Sequence, residues 1–341
     1  MNRRPRYWPG LALAVGLCLG LGTQAWAQTA PYHIALSNSY IGNQWRIEMI
    51  NLTRRYAEHD LKDRVVLSVT SSGTEVEGQI SAIDDMISRH VDAILIDPAS
   101  ENGLNAVIAQ AVAHGIPVID FDHVVSSPLA YKVHVDFVAF GEIQGKWLAE
   151  ALGGKGNIIM NRGVPGFEAD VDLYKGAMKA LKKYPDIHVV AQVFGRWDEN
   201  VSQAEVTKAL IAHPEIDGVL NQYGAYGAVQ AFIALHHKFV PMTGGDSNGW
   251  RSAMLKYKDQ GLRGISVGDS PALGAYALKV AVAVLDKKPV PKDIVVSIPT
   301  VTTDEVKAGV NVFPELPATV YDDIDIPGSG IHLTMDDALA K

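Results

Sequence analysis

The feature that most constrains the fold is an alternation that runs through most of the chain. Runs that are apolar on successive residues occur at Ala93–Asp97, Pro117–Phe121, Asn157–Met160, His188–Val193, Gly218–Asn221, Val240–Thr243 and Gly264–Gly268, with a shorter one at Ile34-Ala35-Leu36. Strands covered on both faces need such runs, because neither face meets water. Between them lie stretches with helical spacing. Val76, Ile80, Ile83 and Ile87 share one helical face, as do Leu104, Val107, Ile108 and Ala111. Ile143, Trp147, Leu148 and Ala151 form a third such stripe, and Leu273, Ala277, Val280 and Val284 a fourth. Repeated strand–helix alternation predicts an α/β fold of doubly wound parallel sheets covered by helices on both faces.

Which residues belong to the working protein is set by the N-terminus. Arg3, Arg4 and Arg6 precede an apolar stretch from Leu11 to Gly22, which ends in Ala25-Trp26-Ala27. That is the layout of a secretory signal peptide over residues 1–27, cleaved after Ala27. The apolar stretch is short for a membrane anchor, which needs about 20 residues. Cys18 is the only cysteine and falls within this leader, so no disulfide framework or thiolate chemistry remains after cleavage. Secretion without cysteines fits a bacterial periplasm. The leader also takes three of the 30 basic residues, leaving 27 against 38 acidic ones, a net of −11. Such a balance excludes nucleic acid and anionic membrane as partners. What is left is too long for one core, so two lobes are expected.

In open parallel sheets, ligands bind beyond the carboxyl ends of the strands. Asn43, Trp45 and Arg46 follow the first run, and Asp122 and His123 follow Pro117–Phe121. Asp97-Pro98 reads as a strand end and turn. Asn161, Arg162, Glu168, Asp170 and Asp172 follow Asn157–Met160, with the last three near a helix N-terminus that suits carboxylates. Trp197 follows the fifth run; Asn221, Gln222 and Tyr223 follow the sixth; Asp246 and Asp269 follow the last two. Carboxylates and amides pair with vicinal hydroxyls, and aromatic faces suit the C–H faces of a sugar or polyol. A few placed polar groups between apolar walls make a small-carbohydrate site.

These residues resemble the ribose-binding type of periplasmic substrate-binding protein, the solute-binding component of sugar ABC transporters. The markers are IALSNSYIGNQW at 34–45, DAILIDPAS at 92–100, AVAHGIPVIDFDH at 111–123, KGNIIMNRG at 155–163 and TGGDSNG at 243–249. The resemblance covers about Tyr32 to Thr302 and implies a type 1 periplasmic binding protein, two lobes joined by a multi-strand hinge. It implies an N-terminal lobe of residues 32–135 plus 270–292, a C-terminal lobe of 136–269 plus 293–303, and crossings near Val135-Asp136, Asp269-Ser270 and Lys292–Ile298. Residues 304–341, rich in proline and acids, are expected as an irregular surface strap. The strand-end rule and the resemblance together give as ligand contacts Asn43, Trp45, Arg46, Asp122, His123, Asp170, Asp172, Trp197, Gln222, Tyr223, Asp246 and Asp269. It implies a small carbohydrate ligand, an inner-membrane permease as partner, a monomeric chain, and neither cofactor nor metal.

The chain departs from the family pattern. His123 stands where the family has a permanent cation, and no base accompanies Glu168, Asp170 and Asp172. Acids gained and bases lost favour a polyol, a cyclitol, a branched sugar or a ligand with some positive character over a plain aldopentose. Other readings are a secreted carbohydrate-active enzyme using facing carboxylates such as Asp122 and Asp246, and a periplasmic sugar sensor. Against an enzyme, Gly153-Gly154-Lys155-Gly156 precedes a strand, where a phosphate loop follows one. A sugar-responsive repressor would carry a basic helix-turn-helix in place of the leader.

Overall fold

The computed structural model describes residues 1, 30–39, 41–73 and 75–340. The leader expected at 1–27, with Cys18, lies outside the described residues except for Met1.

From residue 31 on, the chain begins with β1 (Tyr32–Asn38), α1 (Gln44–His59), β2 (Val65–Ser71), α2 (Val76–Ser88), β3 (Ala93–Asp97), α3 (Asn105–Ala113), β4 (Val118–Asp122) and β5 (Tyr131–His134). It continues as α4 (Phe137–Ala151), β6 (Lys155–Arg162), α5 (Glu168–Leu181), β7 (Asp186–Phe194), α6 (Glu199–Ala212), β8 (Gly218–Asn221), α7 (Ala225–Ala234), β9 (Met242–Gly244), α8 (Asn248–Tyr257) and β10 (Gly264–Val267). Last come α9 (Leu273–Leu285), β11 (Asp293–Val295), β12 (Thr300–Thr302) and α10 (Met335–Ala338).

Two six-stranded sheets result, in the orders β11-β5-β4-β3-β1-β2 and β12-β10-β9-β8-β6-β7. Every pairing is parallel except that of β10 with β12. Every residue of β3, β4, β8 and β10 is buried, as strands covered on both faces require. The chain passes between the sheets after β5, after β10 and after β11. α4 packs on α5 and on β8–β10, whereas α9 returns to α1 and to β3–β5. Asp293–Val295 pairs with β5 on the first sheet, where the sequence reading grouped residues 293–303 with the second half. The last passage therefore falls between Val295 and Thr300.

The C-terminal segment is more than a surface strap. Val320, Tyr321, Ile326, Ile331 and Ala338 are buried. Residues 303–323 follow the second half: the Asn248 amide donates to the Val320 carbonyl at 2.7 Å and the Gly249 amide to the Ala318 carbonyl at 2.8 Å. Asn248 Nδ2 reaches the carbonyls of Phe313 and Leu316. The segment then moves onto the first half, where Lys279 Nζ donates to the Ser329 carbonyl, Asn51 Nδ2 to the Ala338 carbonyl at 2.9 Å, and Arg55 pairs with Asp337 at 3.2 Å.

Candidate functional site

The carboxyl ends of the two sheets face one cleft. Asn43, Trp45, Arg46, Asp122, His123, Phe137, Ala169, Leu173, Trp197, Tyr223, Asp269 and Tyr321 line it. The first half delivers its share through the β1–α1 and β4 ends. Asn43 caps α1, its Oδ1 accepting from the Arg46 amide at 3.0 Å; an amide in that place satisfies an otherwise orphaned helix N–H. The cap turns the first helical residues into the cleft. Trp45 is only 6% exposed, and its indole N–H donates to the Asp269 carbonyl at 2.7 Å. This large aromatic is thus wall and tether together, joining α1 to the passage after β10.

Arg46 provides the positive charge of the floor. Its Nη1 donates to Asn38 Oδ1 at 3.0 Å, its guanidinium contacts the Asp97 carboxylate, and Nη2 lies 3.5 Å from Asp122 Oδ2. Asp97, read from sequence as a strand end, is also the counter-ion that fixes this arginine. His123 Nδ1 lies 2.9 Å from Asp122 Oδ2. Asp97, Asp122 and His123 bring three ligating atoms within 4.8 Å of one another, the spacing of a metal site. The guanidinium already set between the two carboxylates supplies the cation there.

Asp122 and Asp269 touch. Burial alone would raise Asp122, but His123, Arg46 and the hydrogen bond from Asp269 outweigh it and hold its carboxyl below the usual range. Asp269 goes the other way: burial pushes it well up, and repulsion from Asp122 and Asp246 adds to the shift. The two shifts run in opposite directions, so a proton shared within the pair resides on Asp269, whose carboxyl donates to the Asp122 carboxylate. Asp269 Oδ1 is buried without a hydrogen-bond partner among the described residues. An unmet buried acceptor in a cleft calls for an explanation.

The second half builds its wall from aromatics resting on glycines. A Cβ at Gly163 would collide with the Trp197 indole, and one at Gly245 with the Tyr223 ring. Both glycines sit in the MNRG and TGGD stretches, where only a missing side chain lets the ring lie against the backbone. Asp122 and Trp197 have φ of 68° and 58°. For non-glycine residues such left-handed backbone costs on the order of 1–3 kcal/mol and clusters at functional sites. Across the cleft, the His123 ring meets Phe137 at 5.6 Å and Phe167 at 5.9 Å, and Phe167 meets Trp197 edge-on at 6.0 Å.

Of the residues singled out from sequence, Asn43, Trp45, Arg46, Asp122, His123, Trp197, Tyr223 and Asp269 line the cleft together. Four others do not line the cleft. Asp170 is buried behind it, bound by Arg162 through Nε at 3.1 Å and Nη2 at 2.6 Å and by the Gly163 amide at 3.0 Å; Arg162 is the base that seemed missing beside these acids. Asp172 lies on the outer side of α5, with its side chain 44% exposed and 3.8 Å from Lys175. Gln222 spends its amide on scaffolding: Oε1 accepts from the Gly163 amide at 2.8 Å and from the Trp197 indole at 3.2 Å, and Nε2 donates to the Asp170 carbonyl. Asp246 is buried near Asp323 and Arg251, its backbone carbonyl accepting from the Asp322 amide. Phe137, Ala169, Leu173 and Tyr321 line the cleft without having been singled out.

Two parallel α/β sheet units that meet at their strand ends, with a polar floor and aromatic walls between them, define a two-lobed solute-binding fold. A family profile described as periplasmic binding protein domain matches residues 34–289. The chain belongs to this periplasmic binding protein family, in its ribose-binding-like, type 1 branch. It is 31% identical over 253 residues to the xylitol-binding protein of Mycolicibacterium smegmatis, covering 73% of this chain and 72% of that protein. It is 26% identical over 267 residues to the ribose import binding protein RbsB of Bacillus subtilis, covering 77% and 85%. An ABC transporter solute-binding protein from Thermobispora bispora superposes with a TM-score of 0.70 at 30% identity, covering 79% of this chain and 84% of that one. A periplasmic solute-binding protein from Actinobacillus succinogenes with bound D-allose gives 0.69 at 27%, covering 81% and 99%.

Proposed function

We propose that this protein is the solute-binding component of an ABC transporter, capturing a small carbohydrate (a monosaccharide, polyol or cyclitol) in the periplasm and delivering it to a membrane permease. The observation that carries the reading is a single cleft lined from both sheet units, with Trp45, Arg46, Asp122 and His123 on one side and Leu173, Trp197 and Tyr223 on the other. A ligand held by both units favours the closed arrangement over an open one. The passages after β5, β10 and β11 form the hinge, and the permease reads the closed form. In this reading the leader is cleaved after Ala27 and the mature chain works in the periplasm, as a monomer.

Asp269 Oδ1, buried and unpaired, takes a ligand hydroxyl. Asp122, ionised, takes a second through a charge-assisted bond. Trp45, Trp197 and Tyr223 cover the C–H faces. The acid pair also favours binding over hydrolysis. Glycosidase carboxyls stand about 5 Å or more apart to admit a sugar carbon or a water, whereas Asp122 and Asp269 are hydrogen-bonded to each other.

A thermal-shift screen of the mature chain against xylitol, D-ribose, D-xylose, D-allose and myo-inositol tests the reading. A ligand at 100 times its Kd adds about 2.7 kcal/mol of stability, a clear rise in Tm. No rise with any member of such a panel, or turnover of one, would overturn it.

A further inference from the structure

We infer that Tyr321, carried to the cleft by the C-terminal segment, contacts the bound solute and helps set which solute is accepted. The inference rests on the carbohydrate-binding reading and extends the site to a part of the chain beyond the family match, which ends at residue 289. Tyr321 lines the same cleft as Trp45, Arg46 and Tyr223 and is 7% exposed.

Its placement is fixed from both sides. On the first half, the Glu48 carboxyl of α1 accepts from the Tyr321 amide, with its two oxygens at 3.2 and 3.3 Å. On the second, Tyr321 bridges to Ser247, and the next amide, Asp322, donates to the Asp246 carbonyl at 3.0 Å. Two residues on, the Asp323 carboxylate receives the fully buried Arg251 guanidinium, with Nη1 at 2.9 Å. The segment is thus latched to the second half by Arg251 and Asn248. It crosses to the first half at Tyr321 and is held there by Asn51, Arg55 and Lys279. A tether alone would need only the backbone bonds; here the residue at the crossing, whose amide binds the first half while its neighbours Val320 and Asp322 bind the second, is also an aromatic that lines the cleft. An aromatic wall supplied by a separate segment can vary without disturbing either sheet, which suits a specificity element.

Titration calorimetry of xylitol, D-ribose and myo-inositol into the wild type and into Tyr321→Phe, Tyr321→Leu and Arg55→Gln tests the inference. Leucine keeps an apolar filler at the crossing should smaller replacements fail to fold. Tyr321→Leu is expected to weaken the best probe about tenfold, the loss of one aromatic contact, and to change the rank order of the probes. Arg55→Gln, which loosens the segment only at Asp337, is expected to stay within about twofold. A merely structural role for Tyr321 would lower Tm while leaving rank order alone. Wild-type affinities and rank order in both Tyr321 variants would overturn this inference and leave the carbohydrate reading standing. Failure of every probe with the wild type would overturn both.

Discussion

Glu48 offers a stability prediction with a definite sign. It sits on α1 with no exposure, accepts from the Tyr321 amide, and faces Asp246 and the side chain of Gln44. Burial raises its carboxyl from 4.5 to about 8, with Gln44 and the Tyr321 amide opposing the rise and Asp246 adding to it. In the unfolded chain the carboxyl ionises near its ordinary value. Between these two points the folded protein binds the extra proton, so stability falls as pH rises. The contribution is fully present below pH 4.5 and is lost as pH climbs through about 8. At one pKa unit per 1.36 kcal/mol, holding the proton at pH 7 costs at most roughly 3 kcal/mol. Glu48→Gln keeps an acceptor for Tyr321 and removes the titration. Part of the gain is spent on a buried NH2 that must find partners, so we expect about 1–2 kcal/mol of added stability at pH 7–8 and none at pH 4. Urea unfolding of both proteins across pH 4–9 measures this. Parallel pH profiles for the two proteins, or a variant less stable at pH 8, would refute the idea that Glu48 is held protonated at the crossing.

Three further outcomes follow from the site. Gly163→Ala places a methyl against the Trp197 indole; overpacking of this kind costs roughly 1–3 kcal/mol, and tryptophan emission and solute affinity should both change, so an unaltered affinity would detach Trp197 from the site. Asp172→Asn, on the outer side of α5, should leave affinity within about twofold, whereas Trp197→Ala should lose about 1–3 kcal/mol of binding; calorimetry showing a loss in both would restore the sequence reading of Asp172. Asp269→Asn preserves a donor to Asp122 but removes the shared proton, so solute binding should lose whatever decline the wild type shows at alkaline pH, and an identical alkaline profile in both proteins would mean that Asp269 does not hold that proton.

What the sequence discloses depends on how many neighbours a residue must satisfy at once. Central strands such as β3 and β8 meet helices on both faces, and so they are apolar on successive residues up to the polar residue at their carboxyl end, and legible. β2 lies at a sheet edge with a mixed pattern of exposure, and β11 and β12 have three residues each; none carries an unbroken run. The same logic divides the site. Residues at strand ends are located by topology, and Asn43, Asp122, Tyr223 and Asp269 line the cleft where that rule places them. Residues on helices are not, because the rule gives no side-chain direction. Asp170 and Asp172 show this most directly. Two residues on a helix are about 200° apart, so one stretch cannot turn both acids to the same cleft, and here neither lines it: one binds Arg162 and the other faces outward. Phe137, Ala169 and Leu173 look like core because, chemically, they are core that happens to end at a cleft. Tyr321 is a different case. It lies in a segment without helical or strand period, broken by Pro314, Pro317 and Pro327, and its position is set by its own amide on Glu48 and by the bonds of its neighbours Val320 and Asp322 to Asn248 and the Asp246 carbonyl. No local pattern encodes those partners. The only trace in the sequence is an aromatic followed by two acids, with Arg251 available as a distant counter-charge, and a pairing of that kind is chosen by the folded sheets that bring the groups together.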